Sequence, residues 1–213
     1  MQHRVTVLSS AFVMACLLAL GLAPATAAQQ DVCISYDGQE IYQYGSADCD
    51  SEQGGNSAIA VGDGSFADTE GVNNTAIAIG FDAFAEGGDD FQGETAENNL
   101  ALAVGDDAFA DAADGTNNTA ISVGTDTLVD ASDNDEDQNN LAIGVGDFHG
   151  ANTEGVNNTA IAVGVDSQAD VDDEQVENST GIAIGDNSDV DVDDDNCFVI
   201  EVGGTEFEFG DCD

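Results

Sequence analysis

The sequence predicts an all-β protein: a parallel β-solenoid of seven coils with a disulfide-closed hairpin cap at each end. Three observations predict this fold. A phrase recurs seven times, side chains alternate in size within each phrase, and four cysteines flank the repeats in two pairs. The phrase reads Asn-(Thr/Ser/Leu)-small-(Ile/Leu)-small-(Val/Ile)-Gly, and its glycine recurs at steps of 18, 25, 19, 22, 18 and 21 residues. A constant phrase with variable steps is typical of solenoid coils that carry loops of different length.

The first 28 residues have the features of a secretory signal peptide. Arg4 precedes an apolar run, and the small residues Ala25, Thr26 and Ala27 form a cleavage site. We therefore expect a signal peptide at 1–28, an N-terminal disulfide cap at 29–55, the solenoid at 56–191 and a C-terminal disulfide cap at 192–213. No later segment reaches the ~20 apolar residues that span a bilayer. We expect no membrane span and a secreted or cell-surface location.

The cysteines of the two caps are Cys33, Cys49, Cys197 and Cys212. Secretion favours disulfides, and four thiols allow three pairings. The spacing favours Cys33–Cys49 and Cys197–Cys212, because each pair brackets one of the two end segments. Both segments alternate aromatic and polar residues around glycines, which is typical of a hairpin. The rival interpretation is a metal site with four thiolates, but the close Cys-x-x-Cys spacing of such sites is missing.

Each phrase alternates with period two, which indicates a strand with two unlike faces. One row is Ile, Leu or Val at all fourteen positions, and we expect this row to line the interior. The other row is Ala, Ser or Gly throughout, so something must pack closely against it. The alternatives are an identical face of another subunit or a second strand layer of the same chain. The candidate subunit-contact residues are Ala58, Ala60, Ala76, Ala78, Ala101, Ala103, Ala160 and Ala162.

A second short strand is predicted after each phrase glycine. It carries an apolar stripe over the first coils, Phe66, Phe84, Phe109 and Leu128. The stripe can be a core layer, an interface or an adhesive patch.

Asparagines recur at one place in successive coils, where their amides can form a hydrogen-bonded ladder along the solenoid. The ladder positions are Asn74, Asn99, Asn118, Asn140 and Asn158. Asparagines that begin Asn-x-(Ser/Thr) triplets, the acceptors of N-glycans, occur at Asn73, Asn117, Asn157 and Asn178. We prefer the ladder explanation, because the triplets arise automatically from the repeat.

The charge of the chain excludes several classes of partner. Of 213 residues, 44 are Asp or Glu and one is Lys or Arg, and that one, Arg4, belongs to the signal peptide. Nucleic acids and anionic lipids are excluded as partners, because they would add negative charge with nothing to neutralise it. Concentrated salt relieves self-repulsion on this scale, so the composition fits a halophilic protein. The alternative is that the charge only prevents a repetitive β-protein from aggregating.

Calcium is the one cofactor candidate of this composition, because it is bound by carboxylate and carbonyl oxygens, and loose condensation of cations is preferred over a built site. Two acidic segments place oxygen donors at alternate residues, although both lack the glycine and the final glutamate of an EF-hand loop. The candidate metal ligands are Asp133, Asp135, Asp137, Asp191, Asp193 and Asp195. We expect no catalytic residues. His149 is the single histidine after the signal peptide, and it lies in a coil that departs from the repeat.

The stretch Ala78-Ile79-Gly80-x-x-Ala83-x-Ala85 resembles the head repeat of YadA-type trimeric autotransporter adhesins, as do Ala60-Val61-Gly62-x-x-Ser65-x-Ala67 and Ala162-Val163-Gly164-x-x-Ser167-x-Ala169. The resemblance covers residues 56–191 and does not extend to the stalk or membrane anchor of that family. It implies a left-handed parallel β-roll, a trimer of identical chains and attachment to extracellular surfaces.

These observations predict a secreted structural or adhesin-like surface protein that acts through a repetitive β-solenoid face, without catalysis. Its expected partners are other copies of itself and an extracellular protein or glycan. The alternative is a calcium-dependent binding module that uses the acidic loops between coils.

Overall fold

The computed structural model describes residues 31–88, 96–105, 107–131, 137–147, 150–171 and 176–212. These residues form strands and turns without a helix, in a parallel β-solenoid of about seven turns, so the predicted fold class is confirmed. The strands are β1 (Val32–Tyr36), β2 (Gln39–Tyr44), β3 (Asp48–Cys49), β4 (Ser57–Val61), β5 (Phe66–Asp68), β6 (Thr75–Ile79), β7 (Phe84–Glu86), β8 (Leu100–Val104), β9 (Phe109–Ala110), β10 (Thr119–Ile121), β11 (Leu141–Ile143), β12 (Thr159–Ala162), β13 (Gln168–Ala169), β14 (Thr180–Ile184), β15 (Asp189–Val190), β16 (Cys197–Val202) and β17 (Glu206–Gly210).

The repeated phrases form the parallel part of one large sheet. Its eleven strands follow the order β17-β16-β14-β12-β11-β10-β8-β6-β4-β1-β2, with parallel pairing from β4 to β16. The short strands after each glycine form the second layer, as β3-β5-β7-β9 and β13-β15. Each coil therefore contributes one strand to the large sheet, and the first three and last two coils also contribute one to the second layer.

The interior lies between these two layers, and it is filled by small side chains. Ala76 and Ala78 of the large sheet are fully buried, as are Ala83 and Ala85 of the second layer. Our expectation that the Ile, Leu and Val row lines the interior is wrong, because that row points outward. Its strands alternate between partly exposed large residues and buried small ones.

The subunit-contact prediction for the alanine row is also wrong. Those alanines are fully buried within a single chain, so they cannot meet another subunit: Ala58, Ala60, Ala76, Ala78, Ala101, Ala103, Ala160 and Ala162. The physical reason is the second of the two predicted alternatives, a strand layer of the same chain. Only four residues separate β6 from β7, and this short corner folds one layer directly onto the other. At Gly181 even a methyl group is a tight fit, since an added Cβ would lie 3.1 Å from Val190 Cγ1.

The phrase glycine is required by the close stacking of these corners. Gly80 has a φ of 129°, and a Cβ added there would lie 2.7 Å from the carbonyl oxygen of Gly105 in the next coil. An L-residue would therefore be strained by its backbone angle and would also collide with the neighbouring coil. The corner then continues through residues with left-handed backbone, such as Asp82 with a φ of 51°.

The predicted asparagine ladder is confirmed. In each step the backbone N–H of one buried asparagine donates to the side-chain Oδ1 of the asparagine one coil earlier, at 2.7–3.0 Å. The ladder starts at Asn56 and ends where Ser179 N–H donates to Asn158 Oδ1. The bonds run from backbone to side chain rather than from amide to amide. Each side chain thereby satisfies a buried backbone donor that the corner leaves without a strand partner.

Both predicted disulfides are confirmed, with Cα–Cα distances of 5.6 Å for Cys33–Cys49 and 5.1 Å for Cys197–Cys212. The second closes the hairpin of β16 and β17. The first differs from the expectation, because it joins β1 of the large sheet to β3 of the second layer rather than closing the hairpin of β1 and β2. It therefore ties the two layers together at the N-terminal end of the interior.

Two aspartates in the N-terminal cap are held by hydrogen bonds that lower their pKa. Asp31 accepts hydrogen bonds from the Ser46 side chain at 2.6 Å and from the Ser46 N–H at 2.8 Å, and these lower its pKa. Asp37 accepts from the N–H groups of Gly54 and Gly55, which also lower its pKa. These four hydrogen bonds stabilise the ionised carboxylates. Within the described ranges, there is no helix long and apolar enough to cross a bilayer.

Candidate binding surfaces

The outward side of the large sheet carries two apolar columns in register, which we call the apolar face. Neighbouring strands place Ile next to Ile or Leu without a register shift from β4 to β16. Val lies next to Ile in the pairs from β4 to β8 and in the pair of β14 with β16. The first column is Ile59, Ile77, Leu102, Ile121, Ile143, Ile161, Ile182 and Ile200. The second is Val61, Ile79, Val104, Val123, Val145, Val163, Ile184 and Val202.

Exposure of the apolar face is largest along its second column. Val123 is 43 % exposed, whereas Ile59 of the first column is 5 % exposed. A sheet face that points to solvent normally carries polar residues, so this apolar face is a candidate binding surface. The sequence pattern identified the residues of this row correctly, but our expectation that they face the interior was wrong.

The end hairpins continue the apolar face with aromatic residues. Tyr42 of β2 pairs with Ile34, and Phe207 of β17 pairs with Ile200, so their side chains lie on the same side of the sheet. Phe209 is 59 % exposed. Sequence reasoning missed this extension, although the alternating aromatics of both caps were the signal. Ten steps of ~4.8 Å between strands give the face a length of about 48 Å.

The second layer presents a different outward surface, the aromatic ladder of Phe66, Phe84, Phe109 and Leu128. The rings of Phe66 and Phe84 are stacked at 5.3 Å between centroids, and those of Phe84 and Phe109 at 5.0 Å. Their neighbours in sequence are buried, whereas the rings are partly exposed and Leu128 is 53 % exposed. Of the three predicted alternatives, a core layer is therefore wrong.

The predicted calcium ligands do not form one cluster among the described residues. Asp133 and Asp135 lie outside the described ranges, and Asp137 is buried with its Oδ1 accepting the Gly155 N–H at 2.7 Å. Asp195 Oδ1 accepts the Glu177 N–H at 2.8 Å. No group of three or more acidic, histidine or cysteine side chains suited to a metal ion occurs in the described part of the chain.

Asp191 and Asp193 are exposed on one side of an extended segment, with Val192 buried between them. This alternation places both carboxylates on the outward side of the segment. His149 lies outside the described ranges.

The asparagines of the N-glycan triplets occupy exposed corners of the coils, each directly before a buried ladder residue. Asn73, Asn117, Asn157 and Asn178 all have positive φ, between 58° and 62°. Asn117 Nδ2 donates to Asn139 Oδ1 at 3.4 Å, so part of this outer row is also linked between coils. Asparagine is favoured at such positions because it tolerates left-handed backbone. The corner geometry explains these residues without a glycan.

Comparison with known proteins gives no relative for this arrangement. The chain matches no protein-family model, no curated protein and no solved structure.

Proposed function

We propose that the protein is a secreted, non-catalytic structural or attachment protein of the cell surface that acts through its repetitive β-solenoid face. The single observation that carries this proposal is the apolar face, which extends across the eleven strands of the large sheet and into both caps. The resemblance of the repeats to YadA-type adhesin heads supports an attachment role. The two disulfides support an extracellular location. The acidic composition supports a salt-rich environment.

The partner that the apolar face fits best is another copy of the chain. A strand of five residues is about 17 Å long, so the face covers about 48 by 17 Å, or roughly 800 Å². Stable interfaces bury about 800 Å² per partner. The two columns contain no charged residue, whereas the chain as a whole has a formal net charge of −43. The YadA-type resemblance favours a trimer.

The molar mass in solution tests this proposal. We expect an oligomer by sedimentation equilibrium in 1 M NaCl and weaker association in 0.1 M NaCl, because salt screens the repulsion between acidic chains. Ile121→Glu combined with Ile161→Glu places charges on the apolar face and is expected to give monomers. Gln168→Glu adds one charge on the outward side of the second layer and is the matched control for Ile161→Glu alone. A wild-type monomer at both salt concentrations would contradict the self-association.

A calcium-dependent binding module is the second candidate, and the acidic composition of the chain, with 44 Asp and Glu, supports it. In this case an extracellular protein or glycan would be the partner. Thermal unfolding separates the two candidates. A rise in the midpoint with 5 mM CaCl2 that NaCl of matched ionic strength does not reproduce supports built calcium sites. Equal midpoints in the two solutions reject them.

A further inference from the structure

We propose that the aromatic ladder and the acidic rows beside it form a docking surface for an extended, lysine- or arginine-rich segment of another protein. The docking surface lies on the second layer of the solenoid. It is separate from the self-association proposed for the apolar face, which lies on the large sheet.

Acidic side chains flank the ladder on both sides. In the second coil, Asp82 lies two residues before Phe84 and Glu86 lies two residues after it, while the alanines between them are buried. Asp68 and Glu86 pair directly in register, as Phe66 and Phe84 do. The corner row continues through Asp107 and Asp126, and the far row through Asp111 and Asp130. An apolar stripe thus runs between a corner row of three exposed carboxylates and a far row of four partly exposed ones, spaced about 4.8 Å per coil.

The negative charge of the acidic rows favours a positively charged partner. Residues 5–213 contain no Lys or Arg, so a second copy of the chain cannot neutralise the acidic rows. A basic segment can, and the long apolar stems of Lys and Arg can lie along the ring edges while their charged ends reach the carboxylates on either side. Each such ion pair is weak in water, about 1 kcal/mol at 4 Å, and the repeat provides several of them along one line.

The ring geometry disfavours a glycan at the same place. A sugar ring packs on the open face of an aromatic ring, but both faces of Phe84 are covered, by Phe66 on one side and by Phe109 on the other. Only ring edges point outward along the middle of the ladder. These edges offer apolar contact to the methylene groups of a peptide side chain.

The sixth coil provides an internal control. It keeps acidic residues at both flanking positions, Asp166 and Asp170, but places Gln168 where the first three coils have an aromatic ring. A purely electrostatic attraction would involve the whole length of the solenoid. Docking that needs the ladder is confined to its first four coils, about 14 Å from the first rung to the fourth.

Fluorescence anisotropy with a labelled decapeptide of alternating Lys and Val tests the proposal in 0.1 M NaCl. We expect wild-type protein to bind this peptide, and Phe84→Gln with Phe109→Gln to weaken binding at least tenfold, although the net charge is unchanged. Phe84→Leu keeps an apolar side chain and is expected to retain binding. Asp82→Asn with Glu86→Gln should weaken binding and reduce its salt dependence. Circular dichroism checks that each variant is folded.

Two outcomes overturn the proposal. Equal affinity of wild type and the Phe84→Gln, Phe109→Gln variant would show that attraction is purely electrostatic. Ladder-dependent binding of neutral oligosaccharides, without binding of the peptide, would assign the surface to glycans. The Ile121→Glu, Ile161→Glu variant separates this proposal from self-association, because it should bind the peptide with unchanged affinity even as a monomer.

Discussion

Replacement of Asn118 by Ala tests the asparagine ladder at its centre. Asn118 is fully buried, and its Oδ1 accepts the Asn140 N–H at 3.0 Å while its Nδ2 donates to the Asp114 carbonyl at 2.8 Å. Alanine leaves the buried Asn140 N–H without its acceptor, at about 1–3 kcal/mol, and removes a second hydrogen bond worth about 0.5–1.5 kcal/mol. We therefore expect a loss of about 1.5–4.5 kcal/mol in the free energy of unfolding.

The sequence itself suggests a partial rescue of that variant. Ser179 occupies the ladder place in the seventh coil, where its hydroxyl donates to the Asp194 carbonyl at 2.6 Å and accepts the Cys197 N–H at 3.2 Å. Asn118→Ser can form the same pair of bonds, so we expect it to lose less than half as much stability as Asn118→Ala. Asn117→Gly is the matched control. Asn117 is exposed with a φ of 62°, and a change there should stay within about 0.5 kcal/mol.

Urea unfolding followed by far-ultraviolet circular dichroism measures all three variants at one fixed NaCl concentration. The midpoint shift multiplied by the slope m gives the stability change when m is unchanged, since m reports the surface exposed on unfolding. Equal stability of Asn118→Ala and Asn117→Gly would refute the ladder as a stabilising element. A lower m for Asn118→Ala would instead show that the solenoid unfolds in separate parts.

Three further outcomes follow from the fold. Gly80→Ala should lower the free energy of unfolding by about 1–3 kcal/mol, because the φ of residue 80 and the neighbouring coil both exclude a Cβ. An unchanged urea midpoint would contradict this. Replacing Cys33 and Cys49 by Ser should cost about 2–5 kcal/mol, measured against wild type without reductant. Asp31→Asn combined with Asp37→Asn should reduce the fall in the thermal unfolding midpoint below about pH 4. The lowered pKa of each carboxyl group stabilises the fold at pH values above the ordinary pKa of aspartate, and this stabilisation is lost as pH falls. Parallel pH curves would reject that assignment.

Much of the coil could be predicted from the sequence because the repeat reports register directly. Equal spacing from the phrase glycine places Ile77 beside Leu102, and Asn74 beside Asn99, as the structure shows. The pairing of the cysteines followed from their positions at the two ends. The register and the cysteine pairing depend on where residues lie along the chain, and the spacing of the repeat gives those positions directly.

The side of the strand that faces inward could not be predicted by the same pattern, because alternation reports two faces and not which one is buried. Large apolar residues normally fill the gap of about 10 Å between packed sheets. Here the short corners leave room only for small residues, and the apolar residues point outward. The paired sizes of Gly181 and Val190 were the sequence signal that the small-residue row faces the second layer, since a smaller residue in one layer accommodates a larger one in the other.

The candidate binding surfaces could be located only once the inward-facing row of each strand was known. With the alanine row inside, the Ile and Val columns form an outward face instead of a core, and the aromatic ladder forms an outward stripe on the opposite layer. The acidic residues were visible in the sequence as composition alone. Their arrangement in two rows beside Phe84 required the register of β5 and β7.

Ala101→Leu tests the central claim that the small-residue row lies inside the coil. Ala101 is fully buried between Ala76 and Ala120 of the adjacent coils. Urea unfolding of this variant should show a loss of about 1–3 kcal/mol or more, because the interior has no space for three additional carbon atoms. A variant with wild-type stability would contradict the account, since it would place Ala101 on an open surface and return the Ile and Val columns to the core.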